Sequence, residues 1–146
     1  SGFSTPKNSM TEVPKWVTDA ATNGKHLWAP HVFEVTKDGA PYYVMYFTGH
    51  DKTTHNDCIG LATSKSPSGP FAPGTTPFLC ARTSAYEAID PTMYLAKNGQ
   101  RYIVYKIGQY SPNRLFEIRA DEVDGATGTS RVAGVDAKLL MSSTAR

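Results

Sequence analysis

The feature that most constrains the fold of this chain is an internal repeat with a spacing of about sixty residues. Each copy holds a short strand-like segment, a glycine turn, a stronger apolar segment, a polar loop and another strand-like segment. The first copy starts at Pro30-His31-Val32-Phe33 and the second at Pro91-Thr92-Met93-Tyr94. A repeat of this length, built from about four short strands, is typical of a β-propeller blade. The chain is therefore predicted to be all-β and to contain about two blades.

Strand signals within the copies agree with this prediction. Runs rich in β-branched and aromatic residues, bounded by turn formers, predict strands at residues 42–47, 59–63, 101–105 and 115–119. Two segments rich in turn-forming residues, 64–71 and 125–130, are expected to be surface connections.

Each copy also has a hairpin signal. Asp38-Gly39 and Asn98-Gly99 are residue pairs that tolerate the positive φ of two-residue hairpin turns. Aligning the copies on these turns equates Tyr42 with Tyr102 and Val44 with Val104.

Length and charge exclude several classes of protein. The chain has 146 residues, which suits one domain, and we assign residues 1–146 to a single partial propeller. Its net charge is +2 with the charges scattered, so no basic stripe suggests a nucleic-acid partner. No apolar run approaches the ~20 residues of a membrane span.

Because two blades cannot close a ring, the chain is expected to belong to something larger or to form an oligomer.

The two cysteines, Cys58 and Cys80, allow one intramolecular pairing. A structural disulfide would place the protein outside the cytosol, whereas two buried free thiols would not. A metal site is disfavoured, because Cys58 lies near His50 and His55 without the usual ligand spacing. We predict no metal site and no organic cofactor in this chain.

Two segments that open the copies are candidate binding or catalytic positions. Trp28-Ala29-Pro30-His31 precedes the first copy, and its Trp either stacks on a sugar or packs in the core between blades. Ile89-Asp90-Pro91 occupies the matching position in the second copy. An Asp among apolar residues either caps a turn at the start of the strand or serves a function.

A third polar group is better explained as a loop. His50, Asp51, His55, Asn56 and Asp57 lie close in sequence, but their spacing matches no metal-ligand pattern. We therefore interpret them as a solvated hairpin loop. The serines at 64, 66 and 68 lie outside any nucleophile-elbow context, which argues against a serine hydrolase.

Taken in order, six segments of the chain resemble glycoside hydrolase family 43, particularly its secreted fungal members. The segments are residues 28–32, 42–47, 58–64, 66–71, 88–91 and 98–106. The resemblance covers about residues 14–141. It implies a five-bladed propeller, of which this chain would hold the end of blade one, blades two and three, and the start of blade four.

The resemblance also implies an activity. Members of this family act on arabinan, arabinoxylan or xylan and invert the anomeric centre with three acidic residues. A first-blade Asp is the general base, a fourth-blade Glu is the general acid, and a third-blade Asp orients the acid and adjusts its pKa. Inverting hydrolysis requires acid and base on opposite sides of the sugar with a water between them.

By position, Asp90 matches the third-blade Asp, and Trp28, His31 and Ile89 are expected to contact substrate. Many relatives carry Asp in place of His31, and an acidic residue often present after the third-blade Tyr-Lys is missing after Tyr105-Lys106. The cysteines match a disulfide pair of the fungal relatives, which favours a secreted protein.

The base is expected upstream of Ser1 and the acid beyond Arg146, so the isolated chain is predicted to be inactive. An alternative is a non-catalytic carbohydrate-binding or interaction module built from a truncated propeller. The expected partners are plant polysaccharides or oligosaccharides containing arabinose or xylose, and the remaining blades or further copies of the chain.

Overall fold

A computed structural model describes residues 8–18, 27–83, 85–108 and 116–143. Within these ranges the chain forms eight β-strands and no helix, so the all-β prediction is confirmed. The strands are β1 (Leu27–Lys37), β2 (Ala40–His50), β3 (Asp57–Ser64), β4 (Ala72–Pro73), β5 (Glu87–Leu95), β6 (Arg101–Gly108), β7 (Phe116–Val123) and β8 (Lys138–Ser142). No helix in the described ranges is long and apolar enough to cross a membrane.

The strands form two four-stranded antiparallel sheets, and each sheet follows the order of the sequence. The first sheet contains β1 to β4 and the second contains β5 to β8. All four predicted strands are present, although Leu115 of the last lies outside the described residues. Each sheet has the four-stranded meander of a propeller blade.

The two hairpins differ in their turns. Asp38 and Gly39 have φ of 53° and 77°, and they form the expected two-residue turn between β1 and β2. The second hairpin has a longer loop, residues 96–100, in which only Gly99 has positive φ and its N–H donates to the Ala96 carbonyl at 2.9 Å. The prediction of a two-residue Asn98-Gly99 turn is therefore wrong.

This difference in hairpin length also shifts the correspondence between the two blades. His31 pairs with Tyr46 in the first sheet, and Thr92 pairs with Val104 in the second. By strand pairing, Val104 of the second sheet therefore corresponds to Tyr46 of the first. The alignment on turn motifs equates Val104 with Val44, which is two residues earlier in the first sheet. Turn motifs alone misalign the second strand because the first hairpin has more paired residues before its turn.

The main hydrophobic core lies between the two sheets. The first sheet contributes large buried side chains and the second contributes smaller ones around a tyrosine. The core contains Phe33, Val35, Val44, Tyr46, Ile59, Leu79, Ala88, Ile103, Tyr105 and Val123. Because most of these side chains lie on alternate positions of neighbouring strands, one face of each sheet is buried against the other.

A second cluster covers the opposite face of the first sheet. Trp16 stacks on Phe47 with ring centroids 6.0 Å apart. Gly60 permits this contact, because a Cβ atom there would lie 2.2 Å from the Phe47 ring. The segment 8–18 thus packs on the first sheet, tied by a bridge between Val17 and Asp51.

A disulfide joins Cys58 of β3 to Cys80, with Cα atoms 4.5 Å apart. The predicted pairing is confirmed. The bond attaches the segment between the two sheets to β3 of the first sheet. The neighbouring Leu79 is attached there as well, because its N–H and its carbonyl both form hydrogen bonds with the backbone of Ile59.

The connection between β7 and β8 forms a buried hydrogen bond to the first sheet. Its Gly128 is buried, and its carbonyl accepts a 2.5 Å hydrogen bond from the Tyr46 hydroxyl of the first sheet. Asp124 shapes this loop by accepting from the backbone N–H groups of Thr127, Thr129 and Ser130. The expectation of a plain surface connection at 125–130 is therefore wrong for Gly128, which links the two blades.

Replacing Tyr46 with Phe removes this link while keeping the ring. The Gly128 carbonyl then loses its buried donor, and we expect the free energy of unfolding to fall by about 1–2 kcal/mol. Guanidinium unfolding followed by tryptophan fluorescence measures the change. Tyr94→Phe is the control, because that side chain is 57% exposed. Equal stability of the Tyr46 and Tyr94 variants would contradict the prediction.

The second sheet has exposed apolar side chains on its first and last strands. Tyr94 of β5 and Leu140 and Met141 of β8 are all more than half exposed, at 57%, 57% and 59%. Because β5 and β8 are the first and last strands of this sheet, these side chains form two separate exposed apolar patches.

Candidate functional site

The first strands of both sheets are interrupted at matching positions. β1 has a bulge between Trp28 and His31, and β5 has one between Ile89 and Thr92. Ala29 and Asp90 lie within these bulges with φ of 49° and 55°, a region that non-glycine residues rarely occupy. Bulges of this kind re-aim side chains and are frequent beside active sites. The sequence marked these two segments but not their backbone conformation.

Asp90 is exposed at the second bulge and its backbone is anchored from the first sheet. Its N–H donates to the hydroxyl of Thr48 at 3.1 Å, and Thr48 is fully buried. The preceding Ile89 is 5% exposed and packs into the protein. A buried hydroxyl thus holds the backbone from which the exposed Asp90 side chain projects.

His31 joins the same site from the other blade. Its Nδ1 lies 3.3 Å from the Thr92 hydroxyl, and its ring lies 6.0 Å from that of Phe33. Partial burial lowers the pKa of His31, because desolvation penalises the charged imidazolium. The imidazole is therefore neutral at neutral pH and is able both to donate and to accept a hydrogen bond.

The structure thus brings together two of the predicted site residues, His31 and Asp90. It adds two residues that the sequence did not single out, Thr48 and Thr92. Thr48 gave no signal, because a Thr within an apolar strand is ordinary. Thr92 was aligned with His31 in the repeat, and this alignment was the one hint that the two side chains meet.

Trp28 lies on a different surface. It is half-buried and lines a cavity of about 320 Å³ together with Phe47 and Met10. This cavity lies between the first sheet and the segment 8–18. A role for Trp28 in binding sugar stays a prediction.

The polar group at the end of β2 stabilises a loop. His50 Nδ1 lies 2.8 Å from Asp57 Oδ1, and the Asp51 carboxylate accepts from the N–H of Thr53 and of Thr54. In the described part of the chain, no three His, Cys, Asp or Glu side chains are grouped so that they could hold a metal ion.

Comparison with solved structures identifies the fold. The chain superposes with a TM-score of 0.65 on a thermostable family-43 glycoside hydrolase, covering 92% of this chain and 40% of that one at 22% identity. It superposes with a TM-score of 0.61 on a family 43 arabinoxylan arabinofuranohydrolase from Bacillus subtilis in complex with cellotetraose, covering 88% of this chain and 26% of that one at 20% identity. The two sheets are thus blades of a family-43-type propeller, as the sequence predicts.

The sequence identifies the family itself. The profile of Glycosyl hydrolases family 43 matches residues 7–141, so the chain belongs to this family. It is 36% identical over 89 residues to xylosidase/arabinosidase 43A of Humicola insolens. The match covers 61% of this chain and spans about a quarter, 24%, of that relative.

Proposed function

We propose that this chain forms two blades of a glycoside hydrolase that cleaves arabinan- or xylan-type polysaccharides with inversion. The observation that carries the proposal is Asp90, a solvent-facing carboxylate on a bulge that the buried Thr48 anchors. It lies in a chain that matches the family over residues 7–141. The similar proteins are described as a xylosidase/arabinosidase and an arabinoxylan arabinofuranohydrolase, which supports a pentose-containing substrate.

In this proposal Asp90 is neither the acid nor the base. An inverting glycosidase needs an acid and a base about 6.5–9.5 Å apart, so that a water attacks from the face opposite the leaving group. A third carboxylate beside the acid raises the acid's pKa by like-charge repulsion and keeps it protonated near neutral pH. In this proposal Asp90 supplies the third charge, and the acid and the base are contributed by other blades.

His31, Thr92 and Ile89 complete the proposed site around Asp90. The neutral imidazole of His31 offers a hydrogen bond to a sugar hydroxyl, and the Thr92 hydroxyl at 3.3 Å holds the ring in place. Ile89 is buried, so it supports the bulge more than it contacts sugar. The Cys58–Cys80 disulfide supports a secreted enzyme, since such bonds persist in oxidising compartments.

Hydrolysis of aryl arabinofuranosides and xylosides tests the proposal. The protein that carries this chain at its natural length is expected to release the pentose with inverted configuration, observed by proton NMR. The 146-residue chain alone is expected to show no turnover. Enzyme-like turnover by the short chain would contradict the assignment of acid and base. An inactive natural-length protein that still binds arabino- or xylo-oligosaccharides would support a binding module instead.

Replacing Thr48 with Val tests how Asp90 is positioned. The isosteric Val leaves the N–H of Asp90 without its acceptor, so we expect kcat on aryl pentosides to fall about tenfold, equivalent to about 1.4 kcal/mol. KM is expected to change less, because Thr48 acts through Asp90 and does not touch substrate. Thr48→Ser keeps the hydroxyl and is the matched control. A loss of the same size in both variants would show a packing effect.

A further inference from the structure

A second cavity, of about 410 Å³, lies between the second sheet and the segment that leads into it. Tyr105 and Ile107 of β6 and Glu117 and Arg119 of β7 line one side. Tyr86 and residues 79–83 line the other. The volume is within the range of small-molecule sites, about 300–1,000 Å³. Neither His31 nor Asp90 lines it, so the cavity is distinct from the candidate active site.

The sheet register places this cavity relative to Asp90. One row of paired residues crosses the second sheet from Ala88 through Ile107 and Glu117 to Ser142. Ala88 lies two residues before Asp90, and the other three residues line the cavity. Neighbouring strands are about 4.8 Å apart, so the row extends about 14 Å outward from β5. The cavity therefore leads away from the strand that carries Asp90 toward the outer edge of the blade.

The charges around the cavity balance. All three arginines that line it are paired with carboxylates, through Arg82–Asp136 at 2.7 Å, Arg119–Glu117 at 2.6 Å and Arg131–Asp121 at 3.0 Å. Tyr105 also donates to Asp121, which is 1% exposed. An anionic ligand would have to compete with these carboxylates, so an uncharged ligand fits better.

The polar and apolar groups have the pattern that a neutral sugar requires. The partly buried Arg119–Glu117 pair and the Arg131–Asp121 pair offer guanidinium donors and carboxylate acceptors for hydroxyls. Tyr86 and Ile107 add apolar surface for the C–H face of a sugar ring. The disulfide to Cys58 anchors Cys80, at one end of the segment opposite the sheet, to the first sheet.

We propose that this cavity is an additional oligosaccharide-binding site, which holds uncharged sugar units of the same polysaccharide outward from Asp90. This inference depends on the proposed function in one respect, which is that the polysaccharide contains pentose units. It gives the blade a role in selecting long substrates over short ones.

The test compares substrates of two lengths in the natural-length protein. We measure kcat/KM for soluble arabinoxylan and for an aryl pentoside, and use their ratio. Tyr86→Ala is expected to lower this ratio about tenfold, through KM on the polymer. Tyr86→Phe keeps the ring and is expected to retain the ratio. Tyr94→Ala, an exposed aromatic residue outside the cavity, is the surface control.

A direct binding measurement separates this inference from the proposed activity. Xylo-oligosaccharide titrated calorimetrically into the Asp90→Asn protein is expected to bind more weakly when Tyr86→Ala or Glu117→Gln is added. Glu117→Gln keeps the size of the side chain, and it replaces Tyr86→Ala as the test variant if Tyr86→Ala lowers the melting temperature. An unchanged substrate ratio together with unchanged binding would overturn the inference. Tighter binding of glucuronic acid than of neutral sugar would also overturn it. Absence of hydrolysis with Tyr86-dependent binding would refute only the proposed activity.

Discussion

Asp90→Asn in the natural-length protein is expected to lower kcat/KM on aryl pentosides by at most about 10²–10⁴-fold, because Asp90 acts through the general acid and a general acid contributes about that much. The amide has the size of the carboxylate but no charge, so it no longer raises the pKa of the general acid. Asn also tolerates the φ of 55° at this position, which keeps the bulge intact. The melting temperature is therefore expected to stay unchanged.

The pH profile distinguishes this role from a general loss of structure. The acid must be protonated to act, so its pKa sets the alkaline limb of the activity profile. Removing the neighbouring negative charge lowers that pKa, and the alkaline limb is expected to move to lower pH. Asp38→Asn is the matched control, because Asp38 is exposed with a φ of 53° in the first hairpin turn. An Asp90→Asn enzyme with normal turnover would remove Asp90 from the mechanism.

Removing the Cys58–Cys80 disulfide is expected to give the largest loss of stability. The bond closes a loop with a sequence separation of 22 residues. Chain-entropy arguments give about 3 kcal/mol for a loop of this size, because the cross-link limits the unfolded chain. The Cys58→Ala, Cys80→Ala protein is expected to unfold at lower guanidinium concentration by that free energy.

Reduction provides the control for this experiment. Cys58 is fully buried, so its replacement also removes packing atoms. Wild-type protein treated with a strong thiol reductant loses the cross-link but keeps both sulfur atoms. We expect most of the destabilisation to appear on reduction, and the double variant to be insensitive to reductant. A reduced wild type as stable as the oxidised protein would show that the bond contributes little.

Local patterns in the sequence predicted much of the fold. Alternating β-branched and aromatic residues indicated β2, β3, β6 and β7, because strand formation depends on neighbours in sequence. Asp38-Gly39 predicted its turn for the same reason. Asn98-Gly99 predicted the hairpin but not its length, because the length depends on where strand pairing stops and the turn residues alone do not determine that.

The sequence by itself determined the all-β class, the two blades and the positions of Asp90 and His31. The tertiary structure decided what surrounds them. Thr48 reaches Asp90 across 42 residues of sequence, and Tyr46 reaches Gly128 across 82. Cys58 and Cys80 were open to pairing or to remaining free thiols until packing placed their Cα atoms 4.5 Å apart. Such contacts arise from how two sheets pack against each other, and no local pattern of residues records that packing.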